Sequence, residues 1–257
     1  MRWRRLTPPL RPDPAVCDAV ASLVADKCDR ALLLGATPEL TRVASRVVSV
    51  EWKRETLAFV WPGNDAGRQA VQADWRELPY GDASFSCAIG DGSLNCLEYP
   101  RGYRHVAEEL SRVLRPAGRV VIRVFTTPPE PGSYDTIRAV TFAGGVRSVH
   151  ALKWLLAGAI RCQGRDPNVP ARAIAGAFNR WFPDRVALTR ATGWTADEIA
   201  QIEAFENLPD VFSFPTRDEV LLAMQGPFTN GRWVAAGDYE LADRCPIVVM
   251  DNRGDAA

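Results

Sequence analysis

The sequence has few residues of the kinds that bind metal ions. Its 257 residues include only two histidines and six cysteines, and no two cysteines form a Cys-x-x-Cys pair. Scattered cysteines without a histidine at metal-ligand spacing argue against a zinc site and against a framework of disulfide bonds. Several of the cysteines lie in apolar runs, which favours small buried side chains over reactive thiols. We therefore expect no bound metal.

Long apolar runs and an excess of one charge are also absent. The longest apolar-leaning segment, residues 151–160, contains Lys153 and is too short to span a bilayer. The first residues are basic but lack the apolar stretch of a signal peptide. Lysine and arginine total 31, as do aspartate and glutamate, so no net charge marks a nucleic-acid or membrane binder. These features predict a cytoplasmic globular protein without membrane or nucleic-acid partners.

Short apolar runs alternate with helical patterns along the first half of the chain. Most of these runs are continuous, as in strands that are buried on both faces of a sheet. The alternation predicts parallel strand–helix–strand units with right-handed crossovers, and hence an α/β fold. The predicted strands are residues 31–34, 47–50, 69–74, 86–89 and 119–125.

The pattern changes after Thr126. A Pro-rich stretch, residues 128–132, breaks the chain, and residues 133–190 are predicted to be mainly helical with no clear strand. Two last strands are predicted at residues 231–237 and 247–250. The chain is therefore divided into an α/β domain (residues 1–126 and 191–251), a helical insertion over the substrate site (127–190) and a disordered tail (252–257).

Acidic and aromatic residues follow the predicted strands. Glu51, Asp74 and Asp91 each stand at a strand end, and Trp52 and Trp75 follow the first two. In a parallel sheet, ligands bind beyond the carboxyl ends of the strands, where the strand order reverses. Carboxylates accept hydrogen bonds from ribose hydroxyls or an exocyclic amine, and indoles stack on purines. The pattern predicts a nucleoside ligand. The alternative is that the carboxylates only cap helices.

The loop after the first strand has one glycine, Gly35, and lacks the Gly-x-Gly-x-x-Gly pattern of dinucleotide sites. Glu39, in the first turn after this loop, would repel a pyrophosphate at the helix N-terminus. A ligand without phosphates fits better. An NAD(P)-dependent oxidoreductase is the weaker alternative, because the glycines are missing and Asp74 and Asp91 would have no role.

Six segments carry a more specific pattern: Leu33–Glu39, Val48–Glu51, Ala73–Phe85, Ile89–Gly92, Glu109–Arg119 and Tyr239–Pro246. Together they resemble the class I S-adenosylmethionine-dependent methyltransferases, in particular the bacterial small-molecule type, over about residues 15–126 and 210–250. The first segment is similar to motif I of that family. The resemblance implies a Rossmann-like, mostly parallel seven-stranded sheet with helices on both faces, an antiparallel last strand and a helical insertion after strand five.

The same resemblance implies S-adenosylmethionine as the cofactor. Glu51 would bind its ribose, and Asp74 would face its adenine. The cofactor-binding residues expected in this chain are Gly35, Ala36, Thr37, Glu51, Trp52, Asp74, Trp75, Asp91, Gly92 and Ser93.

Motif I departs from the family pattern at three positions. Leu33 stands where an acid is usual, and Thr37 and Glu39 stand where glycines are usual. The lost acid normally supports the loop and the amino-acid end of the ligand, and the Thr37 hydroxyl could take its place. A second hypothesis is therefore a protein that keeps the fold and binds S-adenosylmethionine or a partner without methylating anything.

The predicted reaction is transfer of a methyl group to a small-molecule metabolite by in-line displacement, in which alignment of the reacting atoms supplies most of the acceleration. Some oxygen and carbon nucleophiles require a general base, and Asp91 and His150 are the predicted catalytic residues. Cationic and aromatic residues of the insertion suit a planar or anionic acceptor, or equally a packing surface or homodimer interface. They are Arg138, Arg147, Lys153, Trp154, Arg161 and Trp181.

Overall fold

The computed structural model describes Trp3 and residues 6–254. Within them, the helices numbered along the chain are α1 Pro14–Val24, α2 Arg54–Val60, α3 Arg101–Val113, α4 Tyr134–Phe142, α5 Val149–Gly164, α6 Ala171–Trp181, α7 Arg185–Thr192, α8 Ala196–Glu203 and α9 Arg217–Met224. The strands are β1 Arg30–Leu34, β2 Arg46–Glu51, β3 Arg68–Gln72, β4 Phe85–Asp91, β5 Leu114–Arg123, β6 Asn168–Pro170, β7 Val211–Ser213, β8 Phe228–Val234 and β9 Ile247–Asn252.

The main sheet of the described residues has seven strands in the order β3-β2-β1-β4-β5-β9-β8. The pairs among β1 to β5 are parallel, whereas β9 runs antiparallel to both β5 and β8. The central strands are buried on both faces, which explains their continuous apolar runs. The predicted α/β fold with an antiparallel last strand is confirmed.

The chain enters this sheet through α1. The Asp13 carboxylate accepts a hydrogen bond from the Val16 amide at 2.8 Å, and Pro14 occupies the first helical position. The buried face of the helix, made by Val16, Val20 and Val24, packs on one side of the sheet. Because α1 leads directly into β1, the residues before it lie close to the carboxyl ends of the strands.

Helices α4 to α8 pack around a second cluster of buried apolar residues, which includes Leu152, Trp154, Phe178, Ile199 and Phe214. The cluster therefore extends beyond residue 190, the predicted end of the insertion, as far as β7. Within residues 6–254 and at Trp3, no helix is both long and apolar enough to cross a membrane. The division into a sheet domain and a lid stays a prediction.

A small second sheet corrects the expectation that residues 133–190 contain no strand. β6 pairs antiparallel with β7, with Val169 opposite Phe212. A three-residue strand that contains a proline and pairs with a segment about 40 residues later leaves no periodic pattern in the sequence.

Two further expectations are corrected. Asn252, predicted to begin a disordered tail, ends β9 and is 3% exposed, because its side-chain amide donates to the carbonyls of Ser111 and Leu114 at 3.0 Å. Residues 255–257 of that predicted tail lie outside the described residues. Cys28 and Cys87 form a disulfide with a Cα–Cα distance of 5.4 Å, since the pairing of β1 with β4 brings together cysteines that are 59 residues apart.

Candidate functional site

The order of the strands places the site. β1 leads outward to β2 and β3, whereas β4 and β5 lie on its other side, so the strand order reverses between β1 and β4. A ligand is expected beyond the carboxyl ends of these strands. Gly35 makes the turn after β1 with a φ of +96°, a conformation that residues with side chains rarely adopt. The loops that follow β1, β2, β4 and β5 therefore surround one point.

Glu51 occupies the end of β2 and is 6% exposed. One carboxylate oxygen, Oε1, accepts a hydrogen bond from the Lys53 amide at 2.8 Å. The other, Oε2, lies 3.9 Å from the point where a Cβ at Gly35 would stand. Burial raises the pKa of Glu51, although its hydrogen bond with the Lys53 amide opposes the change. The missing side chain at Gly35 leaves a cradle in front of this carboxylate, and this arrangement fits the hydroxyls of a ribose.

A cavity of about 300 Å³ opens beside Glu51. Trp52, on its rim, is 40% exposed and offers a ring face, whereas the Trp75 ring, 6.4 Å away, is buried. The Trp75 indole donates to the Val50 carbonyl at 2.6 Å, so it forms a fixed wall. The lining residues are Trp52, Asp74, Trp75, Arg76, Cys96, Leu97, Glu98, Arg101, Gly102 and His105.

Asp74 stands at the mouth of this cavity. Its carboxylate accepts hydrogen bonds from the Arg76 Nε, at 2.9 and 3.1 Å, and from Nη2 at 2.5 Å. These hydrogen bonds lower the pKa of Asp74. The carboxylate is therefore ionised at neutral pH and already paired. His105, which also lines the cavity, is exposed on α3.

Asp91 lies on the other side of the reversal point and is buried in an ion pair. Its side chain is 2% exposed, and that of its partner Arg123, at the end of β5, is 1% exposed. Arg123 also donates to the Tyr239 hydroxyl at 2.6 Å and to the Pro9 carbonyl at 2.8 Å. Burial raises the pKa of Asp91, although the charge of Arg123 opposes the change. The Asp91–Arg123 pair thus joins four chain segments, and Asp91 does not line the cavity beside Glu51.

The loop after β4 is closely packed. A Cβ at Gly92 would stand 2.7 Å from the Phe125 ring, so only glycine fits there. The Ser93 hydroxyl is buried without a hydrogen-bond partner among the described residues. Asn95 donates to the carbonyls of Phe125 and Ser213, at 2.8 and 2.7 Å, and accepts from the Phe125 amide at 2.9 Å. Asn95 therefore links this loop to β5 and β7.

The N-terminal segment covers the loop after β1. The Arg11 Nε donates to the Glu39 carboxylate at 2.6 Å, and the Trp3 indole donates to the same group at 3.0 and 3.2 Å. Ala36 and Thr37, which precede Glu39 in this loop, are each 5% exposed. The first two loop positions after Gly35 are therefore buried by protein.

His150 and Lys153 lie in α5, inside the cluster of the insertion. His150 is 3% exposed, its Nδ1 has no partner among the described residues, and burial lowers its pKa to about 4. Lys153 is 1% exposed, with its Nζ 4.4 Å from the centroid of the Phe205 ring, and burial lowers its pKa to about 8. Neither side chain lines the cavity beside Glu51.

The structure thus brings together Gly35, Glu51, Trp52, Asp74 and Trp75, and separates them from Asp91 and His150. Sequence reasoning missed Arg123, although an arginine within the apolar run of β5 is itself a signal of a buried, paired charge. It also missed Asn95, Tyr239 and the contacts of Arg11, for which no local pattern exists.

Parts of the chain are similar to known methyltransferase sequences. Residues 35–122 match the family described as the methyltransferase domain. Over 62 residues, the chain is 45% identical to a demethylmenaquinone methyltransferase of Clavibacter sepedonicus. The aligned part is 24% of this chain and 24% of that protein, so the match spans about a quarter of the length of this relative.

Solved structures resemble the whole chain. An S-adenosylmethionine-dependent methyltransferase from Methanosarcina mazei has a TM-score of 0.55 and 12% identity, covering 96% of this chain and 100% of that chain. The PH0226 protein of Pyrococcus horikoshii has a TM-score of 0.51 and 13% identity, covering 98% and 99%. At these identities the likeness shows the fold.

Proposed function

We propose that this chain, a class I S-adenosylmethionine-dependent methyltransferase by its domain match and its fold, transfers a methyl group to a small-molecule acceptor. The cofactor is S-adenosylmethionine. The observation that carries the proposal is the buried Glu51 carboxylate, which faces the side-chain-free space over Gly35 beside a cavity with an exposed indole.

The residues around this carboxylate have complementary tasks. Glu51 would accept hydrogen bonds from the ribose hydroxyls, and the exposed face of Trp52 would stack on the adenine. Asp74, held by Arg76, would face the exocyclic amine at the cavity mouth. When bound, the cofactor supplies an electrophilic methyl group on a sulfonium, so the protein has mainly to align the nucleophile and exclude water.

The acceptor is proposed to be planar or anionic, and to bind under the helical insertion. Lys153 is a buried cation with no carboxylate partner in residues 6–254, and its Nζ lies over the ring of Phe205. The match to a demethylmenaquinone methyltransferase also supports a planar acceptor, because the ring system of a menaquinone is planar. His150, neutral at neutral pH because of its lowered pKa, is the proposed base. Asp91 is proposed to hold the loop after β4 through Arg123.

Other properties stay predictions of the sequence. These are the cytoplasmic location, the absence of nucleic-acid and membrane partners, and a homodimer.

A second candidate function is cofactor binding without methyl transfer. It is favoured by the burial of Ala36 and Thr37 after β1 and by the sequestration of Asp91 with Arg123 at the end of β4, because both close the part of the site between β1 and β4. The two candidates share the nucleoside site and differ in turnover.

Calorimetry tests the shared part. We expect S-adenosylmethionine to bind with micromolar affinity, NAD(P)H not to bind, and Glu51→Gln to weaken binding by at least tenfold, because a hydrogen bond to a charged group contributes about 1.5–3 kcal/mol. Glu55→Gln, an exposed glutamate on α2, is the matched control. Failure of the wild-type protein to bind S-adenosylmethionine would contradict both candidates.

Turnover separates the two candidates. The wild-type protein would be incubated with S-adenosylmethionine and a panel of hydroxylated aromatic compounds and quinols, and S-adenosylhomocysteine formation would be measured. Product formation that depends on the acceptor supports methyl transfer. Tight cofactor binding without product across the panel favours the second candidate.

A further inference from the structure

The N-terminal strap, defined here as Trp3 and residues 6–13, crosses the carboxyl ends of the central strands. Leu6, Pro9 and Pro12 are buried, and Leu10 packs against the cluster of the helical insertion. The strap contacts charged side chains at two places. The Pro9 carbonyl accepts a hydrogen bond from Arg123, and Arg11 donates to the Glu39 carboxylate. It therefore covers the point between β1 and β4 where a ligand must lie.

The two charge pairs under the strap differ in how easily they can open. The side chains of Asp91 and Arg123 are 2% and 1% exposed, and separating them would leave an uncompensated buried charge. The side chains of Arg11 and Glu39 are 34% and 19% exposed. Ion pairs that water can reach contribute little to stability, so a ligand can separate Arg11 from Glu39 and pair with each of them at little cost.

The loop itself offers no other acid to a cationic group. Leu33, in β1, is buried in the apolar cluster of the sheet. The Thr37 side chain makes no capping hydrogen bond, and Asp91 is taken by Arg123. Glu39, in the short 3-10 helix Pro38–Arg42, is the first carboxylate after β1.

We propose that Arg11 and Glu39 bind the amino-acid end of S-adenosylmethionine, with the Arg11 guanidinium on the α-carboxylate and the Glu39 carboxylate on the α-ammonium. A guanidinium and a carboxylate side by side are complementary to an α-amino acid, which carries the opposite charges on adjacent groups. The strap is thus part of the binding site. The ion pair between Arg11 and Glu39 is exchanged for one pair with the α-carboxylate and one with the α-ammonium of the ligand. The inference rests on the proposed function.

Two ligands separate this inference from the nucleoside site. S-Adenosylhomocysteine carries the amino-acid end, whereas 5′-methylthioadenosine shares the nucleoside and the thioether sulfur but lacks that end. We expect Arg11→Ala and Glu39→Gln each to weaken S-adenosylhomocysteine binding about 10- to 100-fold in calorimetry, as the loss of a charged hydrogen bond predicts. The affinity for 5′-methylthioadenosine should change less than about twofold, because this ligand has no carboxylate or ammonium group to pair with Arg11 or Glu39.

Arg42→Ala is the matched control, because Arg42 is exposed on the same 3-10 helix as Glu39. It should leave both affinities unchanged. Arg11→Lys keeps the charge and should recover part of the loss, and urea unfolding of each variant reports whether the fold is kept.

Equal weakening of both ligands by Arg11→Ala or Glu39→Gln, or no weakening of either, would overturn the assignment. Wild-type protein that binds neither ligand would instead contradict the nucleoside site, and the inference with it.

Discussion

The sheet and the group of helices α4 to α8 each bury a cation, and they compensate its charge in different ways. Arg123 in β5 is paired with Asp91 and donates to the Tyr239 hydroxyl and the Pro9 carbonyl. Lys153 in α5 has no carboxylate partner in residues 6–254, and its Nζ faces the ring of Phe205. Removing either charge from water is costly, and hydrogen-bonded partners reduce that cost only for Arg123.

This difference indicates what each charge does. The planar guanidinium of Arg123 presents several donors in a fixed geometry, so it joins β4, the segment before β9 and the N-terminal strap in one network. Lys153 has no such network, and burial lowers its pKa to about 8. A buried cation that contacts an aromatic ring and has no carboxylate partner in residues 6–254 supports the proposed anionic acceptor.

The largest expected effect is at Arg123. Arg123→Met should lower the free energy of unfolding by about 3–5 kcal/mol, because it leaves the Asp91 carboxylate buried without its partner. Urea denaturation at pH 7 measures this change. Arg115→Met, which breaks a pair whose side chains are 48% and 73% exposed, should cost at most about 1 kcal/mol.

The double variant Asp91→Leu with Arg123→Met is the sharper control. It removes both charges and should recover much of the loss. A single Arg123→Met variant as stable as the control would show that the buried pair does not anchor the sheet.

Replacing Lys153 is expected to change the free energy of unfolding in the opposite direction. Its pKa is about 8 in the folded protein and 10.5 in the unfolded chain, so the unfolded chain binds more protons between these values and stability rises with pH there. Lys153→Met should raise the free energy of unfolding at pH 7 by about 3 kcal/mol and abolish the rise between pH 8 and 10.5.

Lys53→Met, at an exposed lysine, is the control for this experiment. It should change stability by at most about 1 kcal/mol and leave the pH dependence intact. A less stable Lys153→Met protein would mean that the lysine has a partner that the fold requires.

His150 extends the comparison to the stability of the protein at acidic pH. Its pKa is about 4 in the folded protein and 6.5 unfolded, so stability is lost as the pH falls from 6.5 towards 4. In His150→Gln this part of the loss, about 3 kcal/mol, should disappear. The other histidine, His105, is exposed on α3, and His105→Gln should follow the wild-type curve. Identical acid curves for all three proteins would argue against a buried neutral His150.

The smallest effect concerns the ring above Lys153. In a double-mutant cycle, Phe205→Leu should destabilise the wild-type protein by about 1 kcal/mol more than it destabilises Lys153→Met, because the attraction between the ammonium and the ring is lost only in the former. Urea denaturation of the four proteins measures this coupling. Additive effects would show that the two groups do not interact.

Much of the nucleoside side of the site could be predicted from the sequence. Glu51, Trp52, Asp74 and Trp75 follow strands, and parallel strands bring their carboxyl ends to one edge. Even there, Trp75 was expected to stack and is instead a wall that donates to Val50. Its role depends on the neighbouring strand, which a local pattern does not contain.

The side of the site that contains Asp91 could not be predicted. Asp91 stands at a strand end as expected, but its chemistry depends on Arg123, Tyr239 and Pro9, which are 32 to 148 residues away from it in the chain. Contacts at such separation leave no periodic signal, and neither do the pairs Arg11–Glu39 and Cys28–Cys87.

The sequence by itself therefore determined the alternation of strands and helices and placed acidic and aromatic residues at the strand ends, because both are written in local periodicity or in residues adjacent to strands. Only the tertiary structure decided which charges are neutralised, which stay free and which segment covers the loop after β1. The physical reason is that burial and pairing depend on residues brought together by folding, and these set the energy of a charge.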